Sequence, residues 1–376
     1  MTNSRSQKTP VHHRARHARL AAIVAITTAG LITAGGCSGS DTTSSDAAAD
    51  GSTSTAAVTA DPGDVTTTSV EPADVPAVAS AGCGTPAPPT GQSTETMQAG
   101  GIERTYLQYI PEQAASGRPL PLVIDLHGYV EGAVIHALTS KLGEFGNTKG
   151  FITLTPDGTG SPKFWNATQA EGVVDDVGYI TALLDSVESS QCIDTRRVFV
   201  TGLSNGAFMT SRLACVLSSR LAAAAPVAGT LVFDDCTTTD RPVPVVSFHG
   251  TADTFVGFEG VAGEGAATLP GNETSKAVFG KIKFLPVVDA VSAWALRNGC
   301  SGGPADERIA DDIIVKRWAG CPSGADAELY VIEGGGHTWP GSSFLAGASS
   351  IVGRTTTSID ADAVMWSFFE THPLRD

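Results

Sequence analysis

Many hydrophobic residues after residue 82 fall in short runs of four to seven, and these runs are rich in β-branched side chains. Such runs predict strands. The predicted strands cover residues 106–110, 122–126, 151–154, 198–201, 222–228, 243–248 and 329–332. Two of them, LVIDL and VPVVSF, are almost wholly apolar. A strand without alternating polar positions is buried on both faces, as in a parallel sheet that helices cover on both sides.

Between these runs, apolar side chains recur every three or four positions, which is the period of a helix with one buried face. The marking positions are Val177, Ile180, Leu184 and Val187; Val288, Val291, Trp294 and Ala295; and Val364, Trp366, Phe368 and Phe369. Strands that alternate with helices predict an α/β fold with a mostly parallel, doubly wound sheet. Residues 83–376 are about the size of one such domain.

The first 82 residues differ in composition from the rest and divide into two pieces. Residues 1–36 contain five basic and no acidic side chains and end in an apolar stretch, as in a secretion signal. Ala34, Gly35 and Gly36 before Cys37 resemble a bacterial lipobox, which implies cleavage there and lipidation of Cys37. Residues 37–82 are rich in Ser, Thr, Ala, Asp and Pro, which predicts a disordered tether. A plain signal cut elsewhere and an uncleaved anchor are the alternatives.

The formal net charge of −15 argues against nucleic acid and anionic lipid surfaces as partners. Of the seven cysteines, six remain after Cys37, and an even number in an exported chain predicts disulfides. The sequence contains no CxxC pair and no HExxH, so we expect neither a metal nor another cofactor.

The predicted bridges are Cys300–Cys321, Cys192–Cys215 and Cys83–Cys236. The first pair is close in the chain. Cys192 precedes the strand that leads to a GxSxG turn, and Cys215 lies about 16 Å down the following helix, so both are expected at the bottom of the sheet. Cys236 follows the next strand and is expected nearer the top, which leaves it for Cys83.

Residues 198–216 read as a buried strand, the turn Gly202-Leu-Ser204-Asn-Gly206, and a helix. A serine in such a turn is exposed at the carboxyl end of the sheet, and the flanking glycines relieve crowding there. Ser204 is therefore the predicted nucleophile, and the amide of Asn205 is a predicted oxyanion donor at the helix N-terminus. The alternative is a serine that caps an ordinary helix.

A serine nucleophile of this kind is followed in the chain by an acid and then a histidine. His337 follows a predicted strand in a glycine-rich loop and is the predicted base, whereas His249 and His372 are expected to be structural and solvated, respectively. Asp253 follows the strand over residues 243–248 and is the predicted acid. Asp289 is its rival but falls within a helical pattern.

The turn after residues 122–126 is the expected source of a second oxyanion donor, the amide of Tyr129. His127 in that turn is interpreted as a packing residue. Trp165 and Trp339 are predicted to line an aromatic substrate pocket together with Phe164, although tryptophans are also common in cores.

Seven short motifs occur in a fixed order in this chain: LHG, PDG, FWNAT, DDVG, GLSNGA, HGTAD and GGGHTWPG. Together they resemble the exported polyhydroxybutyrate depolymerase and feruloyl esterase family, in particular its actinobacterial lipoprotein members, across residues 83–371. The resemblance implies an α/β-hydrolase fold and carboxyl-ester hydrolysis, with Ser204, Asp253 and His337 as the triad. The segment TFVGFEG after HGTAD departs from the family, which often has a proline and a tyrosine there.

The leading hypothesis is therefore a monomeric serine esterase, exported and lipid-anchored at the outer face of the cell membrane or extracellular. Its ester substrate is a polyhydroxyalkanoate-type polyester, a feruloylated or acetylated polysaccharide, or a small ester. A thioesterase or peptidase could use the same triad, but export and the resemblance disfavour both. A surface binding lipoprotein with a weak triad is the alternative from another class.

Overall fold

Ten β-strands form one sheet in the computed structural model, which describes residues 75–236, 241–322 and 324–375. The strands are β1 Gly91–Ala99, β2 Ile102–Ile110, β3 Leu120–Leu126, β4 Ile152–Pro156, β5 Ile193–Leu203, β6 Ala223–Val227, β7 Val245–Gly250, β8 Pro304–Ala310, β9 Ile313–Trp318 and β10 Ala327–Ile332. Their order across the sheet is β1-β2-β4-β3-β5-β6-β7-β10-β9-β8.

The six central strands, from β4 to β10 in this order, run parallel, and antiparallel pairs close both edges. All seven strands that the hydrophobic runs predicted are present. The runs missed β1, β8 and β9. β1 alternates half-buried and exposed positions, β8 is mostly exposed, and β9 mixes buried with half-buried positions. The sequence GQSTETMQA of β1, for example, has no apolar run at all.

Helices cover both faces of the sheet, and those expected around residues 177–187, 288–295 and 364–369 are present. The helices are α1 Ala133–Ser140, α2 Leu142–Lys149, α3 Asp176–Ser190, α4 Asn205–Val216, α5 Glu273–Phe279, α6 Val287–Arg297, α7 Ser343–Ala346, α8 Ser349–Val352 and α9 Ala361–Thr371. No helix in the described ranges is long and apolar enough to cross a membrane.

Alternate residues of the same strand enter different hydrophobic clusters, because successive side chains of a strand point to opposite faces. Leu122 and Ile124 of β3 pack in a cluster with residues of α3 and α4. Val123, between them, packs in a second cluster with residues of α9. The prediction of a strand buried on both faces is confirmed for β3.

The N-terminal boundary of the domain lies before the predicted residue 83. Ser80 donates its amide to Ile193 O at 2.9 Å and its hydroxyl to Gln191 O at 2.6 Å. Ala79 forms a bridge with Asp194. Residues 75–82 are thus fastened beside the start of β5, and the prediction of a disordered tether is wrong for them. The predicted signal, Cys37 and the tether up to residue 74 lie outside the described residues.

The described part of the chain contains three disulfides: Cys83–Cys192, Cys215–Cys236 and Cys300–Cys321. The prediction of Cys300–Cys321 is confirmed, and the predictions of Cys192–Cys215 and Cys83–Cys236 are wrong.

The two pairings were predicted wrongly because the chain after β6 follows a different path from the one expected. The Leu231 amide donates to the Ser211 hydroxyl at 3.2 Å, and Arg212 pairs with Asp235 at 2.9 Å. The segment therefore returns along α4 toward its C-terminal end, which brings Cys236 to Cys215. Cys83 meets Cys192 because the preceding residues are bound beside β5.

We expect the Cys83–Cys192 bridge to stabilise the fold more than the Cys300–Cys321 bridge. They span 109 and 21 residues, respectively. Because a crosslink restricts the unfolded chain more when it closes a longer loop, the expected contributions to the free energy of unfolding are about 5 and about 3 kcal/mol. Denaturant unfolding of the two double Cys→Ser variants measures the difference. A larger loss of the free energy of unfolding for Cys300→Ser/Cys321→Ser would contradict this ranking.

Candidate active site

Ser204 occupies a strained turn between β5 and α4. Its φ is 57° and its ψ is −117°, a backbone conformation that non-glycine residues rarely adopt. The Ser204 amide donates to Val227 O of the neighbouring strand β6 at 2.9 Å, which helps to hold this conformation. Within residues 201–210 every side chain except that of Ser204 is buried. The turn thus presents one hydroxyl at the carboxyl end of the sheet.

The two glycines of the GxSxG turn are required because the helix starts against the end of β3. A Cβ atom on Gly206 would lie 2.1 Å from Leu126 O, and one on Gly202 would lie 2.7 Å from the same carbonyl oxygen. Both contacts are to backbone atoms, which cannot rotate away. The two glycines are therefore needed because the main chains of β5, α4 and the end of β3 approach one another closely at this turn.

Asp253 and His337 are joined by a hydrogen bond. His337 Nδ1 donates to Asp253 Oδ2 at 2.7 Å, and both side chains are almost completely buried. Asp253 lies in the loop after β7 and His337 in the loop after β10, which is the next strand across the sheet. The main chain also connects these loops, since Ala252 N donates to Gly335 O at 2.8 Å.

The Asp253 carboxylate is well supplied with donors. Its Oδ1 accepts from the amides of Phe255 at 2.8 Å and Val256 at 2.9 Å, and His249 Nε2 lies 3.4 Å from Oδ2. Burial acts to raise the pKa of Asp253, but the charge and hydrogen bonds of His337 and His249 outweigh burial and lower it. Asp253 therefore stays ionised at neutral pH and fixes the imidazole tautomer with the proton on Nδ1.

The rival residues lie elsewhere. Asp289 is exposed on α6. His372 ends α9 and pairs with Asp326 at 2.6 Å, so it is bound rather than solvated as expected. His249 is buried and donates from Nε2 to Val256 O at 2.8 Å. The sequence analysis did not predict the contact between His249 and Asp253. The spacing could have indicated it, because His249 lies four residues before Asp253 where β7 ends.

Topology brings the predicted triad to one edge of the sheet. Ser204 follows β5, Asp253 follows β7 and His337 follows β10. The four strands β5, β6, β7 and β10 are consecutive and parallel. The carboxyl ends of parallel strands share an edge, so the three residues lie at that edge.

Asn205 directly follows Ser204, and the turn that carries Tyr129 approaches the same turn, since a Cβ on Gly128 would lie 3.5 Å from Leu203 O. Asn205 is the first residue of α4, and its side chain is engaged elsewhere, since Oδ1 accepts from Trp165 N at 2.7 Å and Nδ2 donates to Trp165 O at 3.1 Å. Tyr129 directs its hydroxyl to Pro270 O at 2.6 Å. Among the described residues, the main-chain amides of Asn205 and Tyr129 have no hydrogen-bond acceptor. Both amides can therefore donate to a ligand.

His127 orders the turn that carries Tyr129. Its Nδ1 donates to Gly128 O at 2.7 Å, and its Nε2 accepts from Gly158 N at 2.8 Å. Burial lowers the pKa of His127 to about 4, so the ring is neutral at pH 7. These contacts agree with its interpretation as a packing residue.

Trp165 and Trp339 do not line a pocket. Their exposed fractions are 0% and 1%. The Trp165 indole donates to His127 O at 3.0 Å, and the Trp339 indole donates to Asp362 at 2.9 Å. The prediction of an aromatic pocket from these residues is wrong, because both rings fill the core beneath the site. Phe164 is also buried.

Phe255 is an aromatic residue at the site that the sequence reasoning did not identify. Its ring centroid lies 5.0 Å from that of His337, and its side chain is partly exposed. It belongs to the TFVGFEG segment, where the chain departs from the family pattern.

Residues 104–257 match the family model described as Esterase PHB depolymerase. This segment is similar to the esterases of the PHB depolymerase family. The predicted resemblance to the polyhydroxybutyrate depolymerase and feruloyl esterase family is confirmed for this segment. The matched segment contains Ser204 and Asp253, while His337 lies beyond it.

Three known proteins illustrate the likeness. The chain is 27% identical over 241 residues to feruloyl esterase B of Piromyces equi, covering 62% of this chain and 42% of that protein. It is 36% identical over 122 residues to poly(3-hydroxyalkanoate) depolymerase C of Paucimonas lemoignei, covering 30% and 29%. The chain thus spans less than half the length of these two relatives.

The structure is also similar to that of an acetyl xylan esterase from Aspergillus awamori. The TM-score is 0.50 at 16% identity, and the match covers 74% of this chain and 99% of that one. This likeness concerns the fold alone. With the mostly parallel sheet, it confirms the predicted α/β-hydrolase fold.

We expect Gly206→Ala to displace the Ser204 turn. The added methyl group would meet Leu126 O at 2.1 Å. The expected loss is about 3 kcal/mol in the free energy of unfolding. Gly303→Ala is the control, since a Cβ there meets nothing within 4 Å. Thermal unfolding compares the two variants, and equal melting temperatures would contradict the steric argument.

Proposed function

We propose that this protein is a serine esterase that hydrolyses carboxyl esters through an acyl-enzyme on Ser204. The observation that carries the proposal is the 2.7 Å hydrogen bond between His337 and Asp253 at the sheet edge where the strained turn presents Ser204. The family of residues 104–257 supports the same chemistry.

In the acylation step, Ser204 Oγ attacks the carbonyl carbon of the ester. His337 Nε2 takes the hydroxyl proton as general base, and the Asp253 carboxylate stabilises the imidazolium that results. The oxygen of the tetrahedral intermediate becomes negative and accepts from the amides of Asn205 and Tyr129. Collapse of the intermediate breaks the bond to the alcohol, which leaves with the proton from His337.

In the deacylation step, water attacks the acyl-enzyme in the same arrangement. His337 removes a proton from the water, and the same two amides receive the second oxyanion. Ser204 then leaves with the proton that His337 returns. The products are a carboxylic acid and the regenerated enzyme, and no cofactor enters either step.

The proposed substrates are polyhydroxyalkanoate-type polyesters and the feruloyl or acetyl esters of polysaccharides. The names of the relatives support this range, since they include a feruloyl esterase and a poly(3-hydroxyalkanoate) depolymerase. Hydrolysis of p-nitrophenyl, feruloyl and polyester substrates in parallel would rank these classes by kcat/KM.

We propose further that the protein is exported and attached to the outer face of the cell membrane through lipid on Cys37, as a monomer. The basic and apolar residues that end in Ala34, Gly35 and Gly36 support the anchor. The disulfides support an oxidising compartment.

We expect Ser204, Asp253 and His337 to act as one unit. Ser204→Ala and His337→Ala should each lower kcat by a factor on the order of 10⁶, and the double variant should be little worse than either. Asp253→Asn should lower kcat by about 10⁴-fold, because the imidazole loses its correct tautomer. Steady-state kinetics with p-nitrophenyl acetate, together with labelling of Ser204 by a fluorophosphonate probe, measures these effects.

Asp289→Asn is the control for the acid, since Asp289 is exposed on α6. Its kcat should equal that of the wild type. Near-normal activity of Asp253→Asn, or an inactive Asp289→Asn, would refute the assignment of the acid. A wild-type protein that neither reacts with the probe nor hydrolyses any ester would be a binding protein rather than an esterase.

Lipid attachment makes a separate prediction. Cys37→Ala in the full chain should move the protein from the membrane fraction to the soluble fraction, because the thiol that carries the lipid is removed. Fractionation followed by immunoblotting measures the distribution. Continued sedimentation of Cys37→Ala with membranes would count against the anchor.

A further inference from the structure

A buried ionic cluster lies behind the turn that carries Tyr129. His136 of α1 is fully buried, and its Nε2 donates to Asp125 Oδ1 of β3 at 2.7 Å. Its Nδ1 lies 3.4 Å from Glu131 Oε2. The Ser140 hydroxyl donates to the other oxygen of Asp125 at 2.6 Å. One imidazole is thus placed between two carboxylates.

The charge of His136 follows from this placement. Burial acts to lower its pKa, but Asp125 and Glu131 outweigh burial through charge and hydrogen bonding and raise it to about 10. Despite burial, the pKa of Glu131 is lowered, chiefly by His136 and then by the Gly128 amide. At neutral pH His136 is therefore an imidazolium, and it lies between Asp125 and Glu131. A buried charge held in this way has few alternative positions, because any movement would break an ion pair in a medium of low dielectric constant.

Glu131 connects this cluster to the turn. Its Oε2, the atom that faces His136, also accepts the main-chain amide of Gly128 at 2.8 Å. His127 holds the carbonyl of Gly128, since its Nδ1 donates to Gly128 O. The carbonyl of Gly128 and the amide of Tyr129 belong to the same peptide group. With both sides of Gly128 fixed, that peptide plane has one orientation.

The cluster also reaches the segment that follows the base. The Trp339 ring lies edge-on to the His136 ring, with centroids 5.6 Å apart, and its indole donates to Asp362 of α9. Burial raises the pKa of Asp362 well above its ordinary value. The titratable groups near His136 are therefore Asp125, Glu131, Asp362 and the neutral His127, and the Trp339 ring lies against it.

We propose that Glu131, held by His136, is a positioning residue that aims the Tyr129 amide at the oxyanion. Glu131 touches neither the substrate nor the reacting atoms. It fixes the Gly128–Tyr129 peptide so that the amide donates without reorganising as negative charge develops. The inference rests on the proposed esterase function and adds to it a residue outside the triad and the two donors.

The test removes the acceptor for Gly128 while preserving side-chain volume. In Glu131→Met the Gly128 amide has no partner, whereas Glu131→Gln keeps an amide oxygen in reach of it. With p-nitrophenyl acetate, we expect Glu131→Met to lower kcat by about 10- to 100-fold with KM within about twofold, because the loss falls on the transition state. Glu131→Gln should keep most of the wild-type kcat.

A trifluoromethyl ketone provides the second measurement, because its adduct with a serine carries an oxyanion. Its affinity for Glu131→Met should fall by the same factor as kcat/KM. Asn298→Ala is the control for plain destabilisation, since Asn298 is buried and donates to Val243 O at 2.8 Å, far along the chain from the turn. That variant should lose melting temperature and keep kcat and the affinity for the ketone.

The outcomes separate this inference from the proposed function. Suppose that the wild type is active. The positioning role alone would be overturned if the kcat of Glu131→Met stayed within twofold of the wild type. It would also be overturned if Glu131→Met lost no more activity than Asn298→Ala at an equal melting temperature. A wild type without esterase activity would overturn the proposed function and this role with it. A selective fall in kcat and in ketone affinity, restored by Glu131→Gln, supports the role.

Discussion

The close approach of α4 to the end of β3 constrains the whole candidate site. Gly206 leaves no space for a side chain above Leu126 O, so the first turn of the helix rests directly on the main chain of the neighbouring strand. That contact sets the Asn205 amide beside the turn that begins at His127. The two amides proposed to receive the oxyanion thus belong to segments that touch through backbone atoms, and their separation does not depend on side-chain packing.

The base and the acid depend on a similar contact between loops. A Cβ on Gly250 would lie 2.2 Å from Gly335 O, so the ends of β7 and β10 are also in backbone contact. Asp253 and His337 lie only a few residues beyond this contact, which explains how two loops hold a 2.7 Å hydrogen bond. In both halves of the site, glycines allow main chain to meet main chain. Polar side chains such as Asn205 and Glu131 then fix the orientation of individual peptide groups.

The sequence predicted the parts of this structure that have local patterns. Strands buried on both faces produce apolar runs, and a tight strand-to-helix turn needs its glycines, so the central strands and the strained turn at Ser204 could be predicted. The order of strands and loops was then enough to select Asp253 and His337. The outer strands could not be found in this way, because their alternating or exposed positions bury too little apolar surface to form a run.

The remaining errors concern the path of the chain in three dimensions. Nothing in the residues around Cys236 indicates that they return along α4, so an argument from strand order chose the wrong partner for Cys215. Trp165 and Trp339 are next to chemically important residues in the sequence, yet their rings point into the core. Adjacency in the chain does not determine the direction of a side chain. The contact of His136 with Asp125 and Glu131 depends on how α1 packs, which no short motif encodes.

The Cys83–Cys192 bridge has a mechanical consequence. It fastens the N-terminal segment beside the first residues of β5, whereas Ser204 follows the last residue of that strand. The strand has 11 residues. At about 3.3 Å per residue its two ends are at most about 33 Å apart, and the irregularity between Ile193 and Val198 shortens that span. Tension applied to the chain ahead of residue 75 is therefore borne by a covalent crosslink at the edge of the sheet remote from the nucleophile. Immobilisation of the domain from that side would leave the edge that carries Ser204, Asp253 and His337 unobstructed.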